Sequence, residues 1–90
     1  MIGSLVLGGY DAARLRYAGT VGTGFTHAMR AGLTRLLAPL EQETSPFSIL
    51  APPRYTSGAR WVEPSLVGEV AFTERTSDGS LRHASWRGLR

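Results

Sequence analysis

The chain has 90 residues, 42% of them hydrophobic, no cysteine, and ten basic against seven acidic side chains for a net charge of +3. That length allows one small domain burying about 60–65% of its unfolded surface. The composition excludes a disulfide framework and a thiolate metal site and, because every basic residue is arginine, covalent lysine chemistry by this chain alone.

In chain order, "GSLVLGGY" alternates Leu5 and Leu7 with Val6 and Gly8, a strand pattern, and "YDAA" reads as a turn. The next stretch, "RLRYAGTVGTGF", places Leu15, Tyr17, Gly19 and Val21 on one parity and Arg16, Ala18 and Thr20 on the other, which predicts a second strand and a hairpin. Glycines at 19, 22 and 24 mark bends or bulges. From Thr26 the period changes to 3.6, with Met29, Leu33, Leu36, Leu37 and Leu40 forming an apolar stripe that is read as core. Thr26 is the expected N-cap and Pro39 the stop. Gly32, inside this helix, costs about 1 kcal/mol relative to alanine and is expected to let a strand approach closely.

Residues 41–59 contain Pro46, Pro52 and Pro53 and read as a surface connection pinned by Phe47 and Ile49. "RWVEPSLVGEVAFTERT" then gives a short strand, an interruption at Pro64, and a longer strand with Leu66, Val70 and Phe72 near one face. Asp78-Gly79 predicts a hairpin turn of the primed kind, leading into a last strand from "LRHAS". The fold expected from these elements is all-β with one inserted helix, a single domain over 1–90 built as a barrel of about five strands, for which the OB-fold is the best match.

Few of the polar residues suggest chemistry. "VGTGFTHA" lacks the lysine of a phosphate-binding loop and reads as a structural corner, with His27 on the surface. His27 and His83 are too far apart to suggest a metal set, so no metal site is expected. Glu63, Glu69 and Glu74 read as a solvated strand face, with parity placing Glu69 and Glu74 on opposite sides and Glu63 expected to pair with an arginine. The terminal "LRHASWRGLR" is different in kind. Arg82, Arg87 and Arg90 flank Trp86, and a strand carrying them could aim several guanidinium groups at one polyphosphate. An ordinary basic tail, with Trp86 capping the barrel, is the other reading, and both stay open at this point.

The succession "GSLVLGGYD", "LRYAGTVGTGF", "LAPL", "SPF" and "ARWVEPSLVGEVAFTERTSDGSLRHASWRGLR" resembles the C-terminal OB-fold domain of bacterial ATP-dependent DNA ligases, above all those of non-homologous end joining. The closing "LRHASWRGLR" is similar to nucleotidyltransferase motif VI. The resemblance implies that Arg82 and Arg90 orient the pyrophosphate of ATP, with Arg87 at a more variable position. Ala84 stands where many relatives have proline, and the aspartate and lysine that close the motif are not in the chain. It also implies ATP and Mg2+ in the full-length enzyme and neither bound by this domain alone. A separate adenylation domain would supply the lysine nucleophile. Nicked duplex DNA and a Ku-like end-binding protein are the further implied partners. Arg14, Arg16, Arg30 and Arg60 are the candidate phosphate contacts.

The resemblance places the protein in the bacterial cytoplasm with the nucleoid. That fits "MIGSLVLGGY", which lacks the charged start and cleavage site of a secretory signal, and the absence of any apolar run near the ~20 residues that span a bilayer. An alternative of another class is a free-standing nucleic-acid-binding OB protein that stacks bases on Trp61, Trp86 and Tyr17. A third is a structural domain whose arginines are merely solvated.

Overall fold

In the computed structural model, which describes residues 2–48, 56–77 and 79–90, the alternating N-terminal segment folds as the expected antiparallel hairpin. Strand β1 (Leu5–Asp11) pairs with β2 (Arg14–Val21). Ala12 enters the two-residue loop at φ 56°, the sign that the right-handed twist of flanking strands favours in short hairpin loops. The register slips at Gly8, leaving Ala18 without a partner beside Gly19, so the bend falls among the predicted glycines. Leu15 and Val21 are buried, as their parity requires.

Helix α1 (His27–Leu37) begins at Thr26, whose hydroxyl accepts from the Met29 amide at 3.1 Å, and runs into a 3-10 turn, Ala38–Leu40, that contains Pro39. Its stripe is narrower than the spacing predicts. Leu33 is buried, Met29 and Leu37 pack at the edge of the core, and Leu36 is 48% exposed. A single helix on so small a β framework finds cover for one row of side chains and leaves the next row at its rim. A second correction concerns Gly32. A β-carbon placed there meets nothing within 4 Å, so no strand approaches it. Gly32→Ala should therefore stabilise the fold by about 1 kcal/mol, raising the melting temperature by roughly 4–8 °C in thermal denaturation.

Within the expected connection, Glu41–Gln42 forms a short strand, β3, antiparallel to β4 (Trp61–Val62). Phe47 pins this region as expected. It is buried, stands edge-on to Tyr17 and Trp61 with centroids 6.2 and 5.7 Å away, and is followed by a Ser48 amide that donates to Leu15 O. Ile49, Pro52 and Pro53 lie outside the described residues.

The last third of the chain is one long, bent antiparallel hairpin. Strand β5 (Gly68–Ala71) pairs with β8 (Ser85–Leu89), and β6 (Glu74–Arg75) pairs with β7 (Leu81–Arg82). The strand expected to run unbroken through Phe72 is interrupted at 72–73, opposite a kink where His83 takes φ 55°. Leu66 and Phe72, expected on one strand face with Val70, lie outside the strand and are 40% and 45% exposed, because it begins only at Gly68 and breaks after Ala71. Asp78 lies outside the described residues. Around it the hairpin closes through the Gly79 amide to Thr76 O and the Thr76 amide to Ser80 O.

The fold is thus mostly β with one helix. Among the described residues the ladders form four two-stranded units of eight short strands rather than one ring of five. Bonds and contacts between the units hold them together. The Trp86 amide donates to Thr23 O, and β7 crosses β2 where a β-carbon on Gly19 would lie 3.2 Å from Leu81 O. The core proper is Val21, Leu33 and Trp86. Among the described residues no helix is long and apolar enough to cross a membrane.

Candidate functional site

Trp86 decides what the terminal segment is. Its indole is 5% exposed, stacks on Phe25 at 5.6 Å and 17°, and faces Val70 across the β5–β8 ladder. The seat is cut to fit. A β-carbon on Gly68 would fall 2.3 Å from Cη2 of the indole, and one on Gly24, which sits at φ +88°, would fall 2.6 Å from the Trp86 carbonyl oxygen. The glycines of "VGTGF" are therefore a packing corner, as the sequence reading has it. With Trp86 driven into the core and the Arg90 amide bonded to Val67 O, residues 85–89 form a strand and not a solvated tail.

The same seating turns the arginines outward. The register slips between Glu69/Val70 and Gly88/Trp86, so Arg87 is the extra, bulged residue and is exposed, with Gly88 absorbing the distortion at φ +132°. Arg82 Nη1 lies 3.0 Å from Glu74 Oε1, its direct cross-strand neighbour. Arg90 Nε lies 3.6 Å from Glu69 Oε1, on the diagonal of the ladder. Arg87 pairs with no carboxylate among the described residues. Arg82 and Arg90 pair with different carboxylates, Arg82 in the ladder beside the hairpin turn and Arg90 at the far end of the other. Eight strand residues can separate their backbones by up to roughly 26 Å, less what the kink and bulge take up. Arg87 lies three residues before Arg90, beyond Trp86 from Arg82 in the chain.

The four remaining candidates divide in the same physical way. Arg14 and Arg16 alternate on one face of the β1–β2 hairpin, with Arg16 3.6 Å from Asp11 and Arg14 without an ion pair among the described residues. Arg60 is held at 2.8 Å by Glu41. Arg30 is a staple. Its guanidinium donates to the carbonyls of Ile2 (2.9 Å), Gly3 (2.6 Å) and Gly22 (3.4 Å) and lies 4.8 Å over the Phe25 ring, tying the chain start to α1. Arg30→Ala should cost about 1–3 kcal/mol in urea denaturation.

Glu63, expected to pair with an arginine, makes no ion pair among the described residues; its amide donates to Leu40 O. The carboxylates that do hold arginines, Glu69 and Glu74, were read only as a solvated face. Pairing each with its arginine needs the hairpin register, which the bulge at Arg87 shifts by one at the Glu69 end. The three aromatics proposed for base stacking are occupied in packing: Trp86 is buried, and Trp61 and Tyr17 lie against Phe47.

Residues 1–90 match the family model for the ATP dependent DNA ligase C terminal region. The chain is 49% identical over 89 residues to the multifunctional non-homologous end joining protein LigD of Mycolicibacterium smegmatis, covering 99% of this chain and 12% of that protein. It is 45% identical over 89 residues, with the same coverage, to the LigD DNA repair protein of Mycobacterium tuberculosis. Among solved structures, the ligase domain of M. tuberculosis LigD superposes with a TM-score of 0.93 at 45% identity, over 98% of this chain and 29% of that one. A mycobacterial DNA ligase D complexed with ATP and MES superposes with a TM-score of 0.88 at the same identity and coverage. Matched by the family model along its whole length and close in fold to the ligase domain, this chain belongs to the C-terminal region family of ATP-dependent DNA ligases, as a homologue of the LigD type.

Proposed function

We propose that residues 1–90 are the OB-fold domain of an ATP-dependent ligase of non-homologous end joining, and that the paired strands are segments of one closed five-stranded barrel. In this reading the chain serves two stages of strand joining. First it helps the adenylation domain load AMP onto its lysine. That lysine attacks the α-phosphorus of ATP, the bond to the bridging oxygen breaks, and negative charge gathers on the departing pyrophosphate. Arg90 and Arg87 at one end of the terminal segment, and Arg82 at the other, orient the polyphosphate and stabilise that charge by bidentate hydrogen bonds, each group acting on its own part of the nucleotide.

The observation that carries this reading is the buried Trp86. It fixes a strand whose arginines point outward and whose Arg87 is free of carboxylate partners among the described residues, a donor set suited to a polyanion. The chain's carboxylates do not suit Mg2+ in the same way. Among the described residues no three acidic or imidazole groups gather.

In the second stage the domain lies along nicked duplex DNA. Arg14 and Arg16, on one hairpin face, make sequence-independent phosphate contacts, joined by Arg60 where its pair with Glu41 yields. Arg30 drops out of this group, its donors being spent on backbone carbonyls. The partners are the adenylation domain, broken or nicked DNA and a Ku-like end-binding protein, at the bacterial nucleoid. The test is to fuse the chain to the adenylation domain of a LigD relative and measure enzyme–AMP formation from ATP. Stimulation well above that given by an unrelated OB barrel is expected, and equal rates would contradict the proposal.

A further inference from the structure

Resting on that reading, we propose that Glu69 and Glu74 are positioning residues for the polyphosphate site: each carboxylate is the resting ion-pair partner of one terminal-segment arginine, and an incoming polyphosphate takes the guanidinium over from it. Of the four ion pairs among the described residues, two have this form. Glu74 lies directly across the ladder from Arg82, and Glu69 lies across from Gly88, two positions before Arg90. Both carboxylates come from the strand running antiparallel to the arginines, so one hairpin carries donors on one arm and their acceptors on the other.

The exposure of these pairs sets the balance. Side chains in the Arg82–Glu74 pair are 56% and 61% exposed, and those in the Arg90–Glu69 pair 69% and 62%. Ion pairs so open to water are weak and screened by salt. A polyphosphate offers several charges and the oxygen geometry for bidentate contact, so it outcompetes one carboxylate. The pair still has two effects. It restricts a long, flexible side chain to an extended pose above the strand, and it withholds the guanidinium from weaker anions. Arg87, with no such acceptor among the described residues, is the internal comparison.

The experiment uses the 90-residue chain itself, with tripolyphosphate as probe, following the side-chain Nε–H resonances of the arginines by NMR at low salt. In the unmodified chain the titration should shift Arg82, Arg87 and Arg90. Glu69→Gln should tighten the binding reported by Arg90 roughly two- to fivefold, and Glu74→Gln should do the same at Arg82, each leaving the other end little changed. Glu63→Gln removes the same charge from an exposed residue without an ion pair among the described residues, and should produce a smaller change at both ends. The amide spectrum of each variant reports that the fold is intact. If Glu63→Gln tightens binding as much as the other two, the effect is net charge and the inference fails. If binding at Arg82 and Arg90 ignores Glu69→Gln and Glu74→Gln, the inference fails while the functional reading stands. If tripolyphosphate leaves the arginines of the terminal segment unshifted in the unmodified chain, the inference fails, while the functional reading, in which the adenylation domain holds the nucleotide, is decided by the fused enzyme.

Discussion

Replacing Trp86 by alanine is expected to lower stability by about 3–5 kcal/mol, the range for removing a large buried aromatic. A domain of this length has a total of only roughly 4–13 kcal/mol. The size follows from what the indole touches: it fills the core with Val21 and Leu33, stacks on Phe25 and rests on the bare backbone of Gly68. Trp86→Phe keeps an aromatic ring over Phe25 and should lose less, about half as much. Gly68→Val attacks the same seat from the other side, because its first carbon would fall inside contact distance of the indole. Urea denaturation followed by circular dichroism measures all three. A loss under about 1 kcal/mol for Trp86→Ala would place the strand's anchor elsewhere.

The second large effect is on chemistry rather than folding. Arg90→Ala, in the fused enzyme described above, should slow enzyme–AMP formation by about a hundredfold, the scale on which removing one preorganised donor from a developing charge acts. Arg90 is 69% exposed in its side chain and contributes little to the core, so the variant should keep the stability of the unmodified chain. The loss should appear in the rate at saturating ATP, since the charge that Arg90 meets grows in the transition state. Arg87→Ala, on the same end of the segment, should show a smaller loss of the same kind.

Much of this was legible in the residues because local chemistry and the fold agree at those places. Thr26 caps the helix, Pro39 ends it, and alternation from Leu5 to Val21 sets a hairpin whose bend falls at glycines. The outward arginines and the inward tryptophan of the terminal segment were visible as a pattern, while the choice between tail and strand needed the seat formed by Gly24 and Gly68, residues far apart in sequence.

Other features were not readable for equally physical reasons. Periodicity marks an apolar face but not how much of it finds cover, so Leu36 reads as core and emerges at its rim, and Leu66 and Phe72, read on one strand face, are exposed. The bulge at Arg87 changes which residues oppose each other beyond it, and the pairing of Glu69 with Arg90 depends on that shift. Arg30 looked like any other surface arginine, because its three carbonyl partners are set by where the chain start crosses the helix.

The central claim is that the terminal segment acts on the polyphosphate of ATP. It is tested most directly by comparing two half-reactions of the fused enzyme, adenylate formation from ATP and sealing of a nick already capped with AMP, for the unmodified form and Arg90→Ala. The expected result is a loss of about a hundredfold in the first with the second nearly unchanged, because no pyrophosphate leaves during sealing. Equal losses in both half-reactions, or no loss in the first, would contradict it.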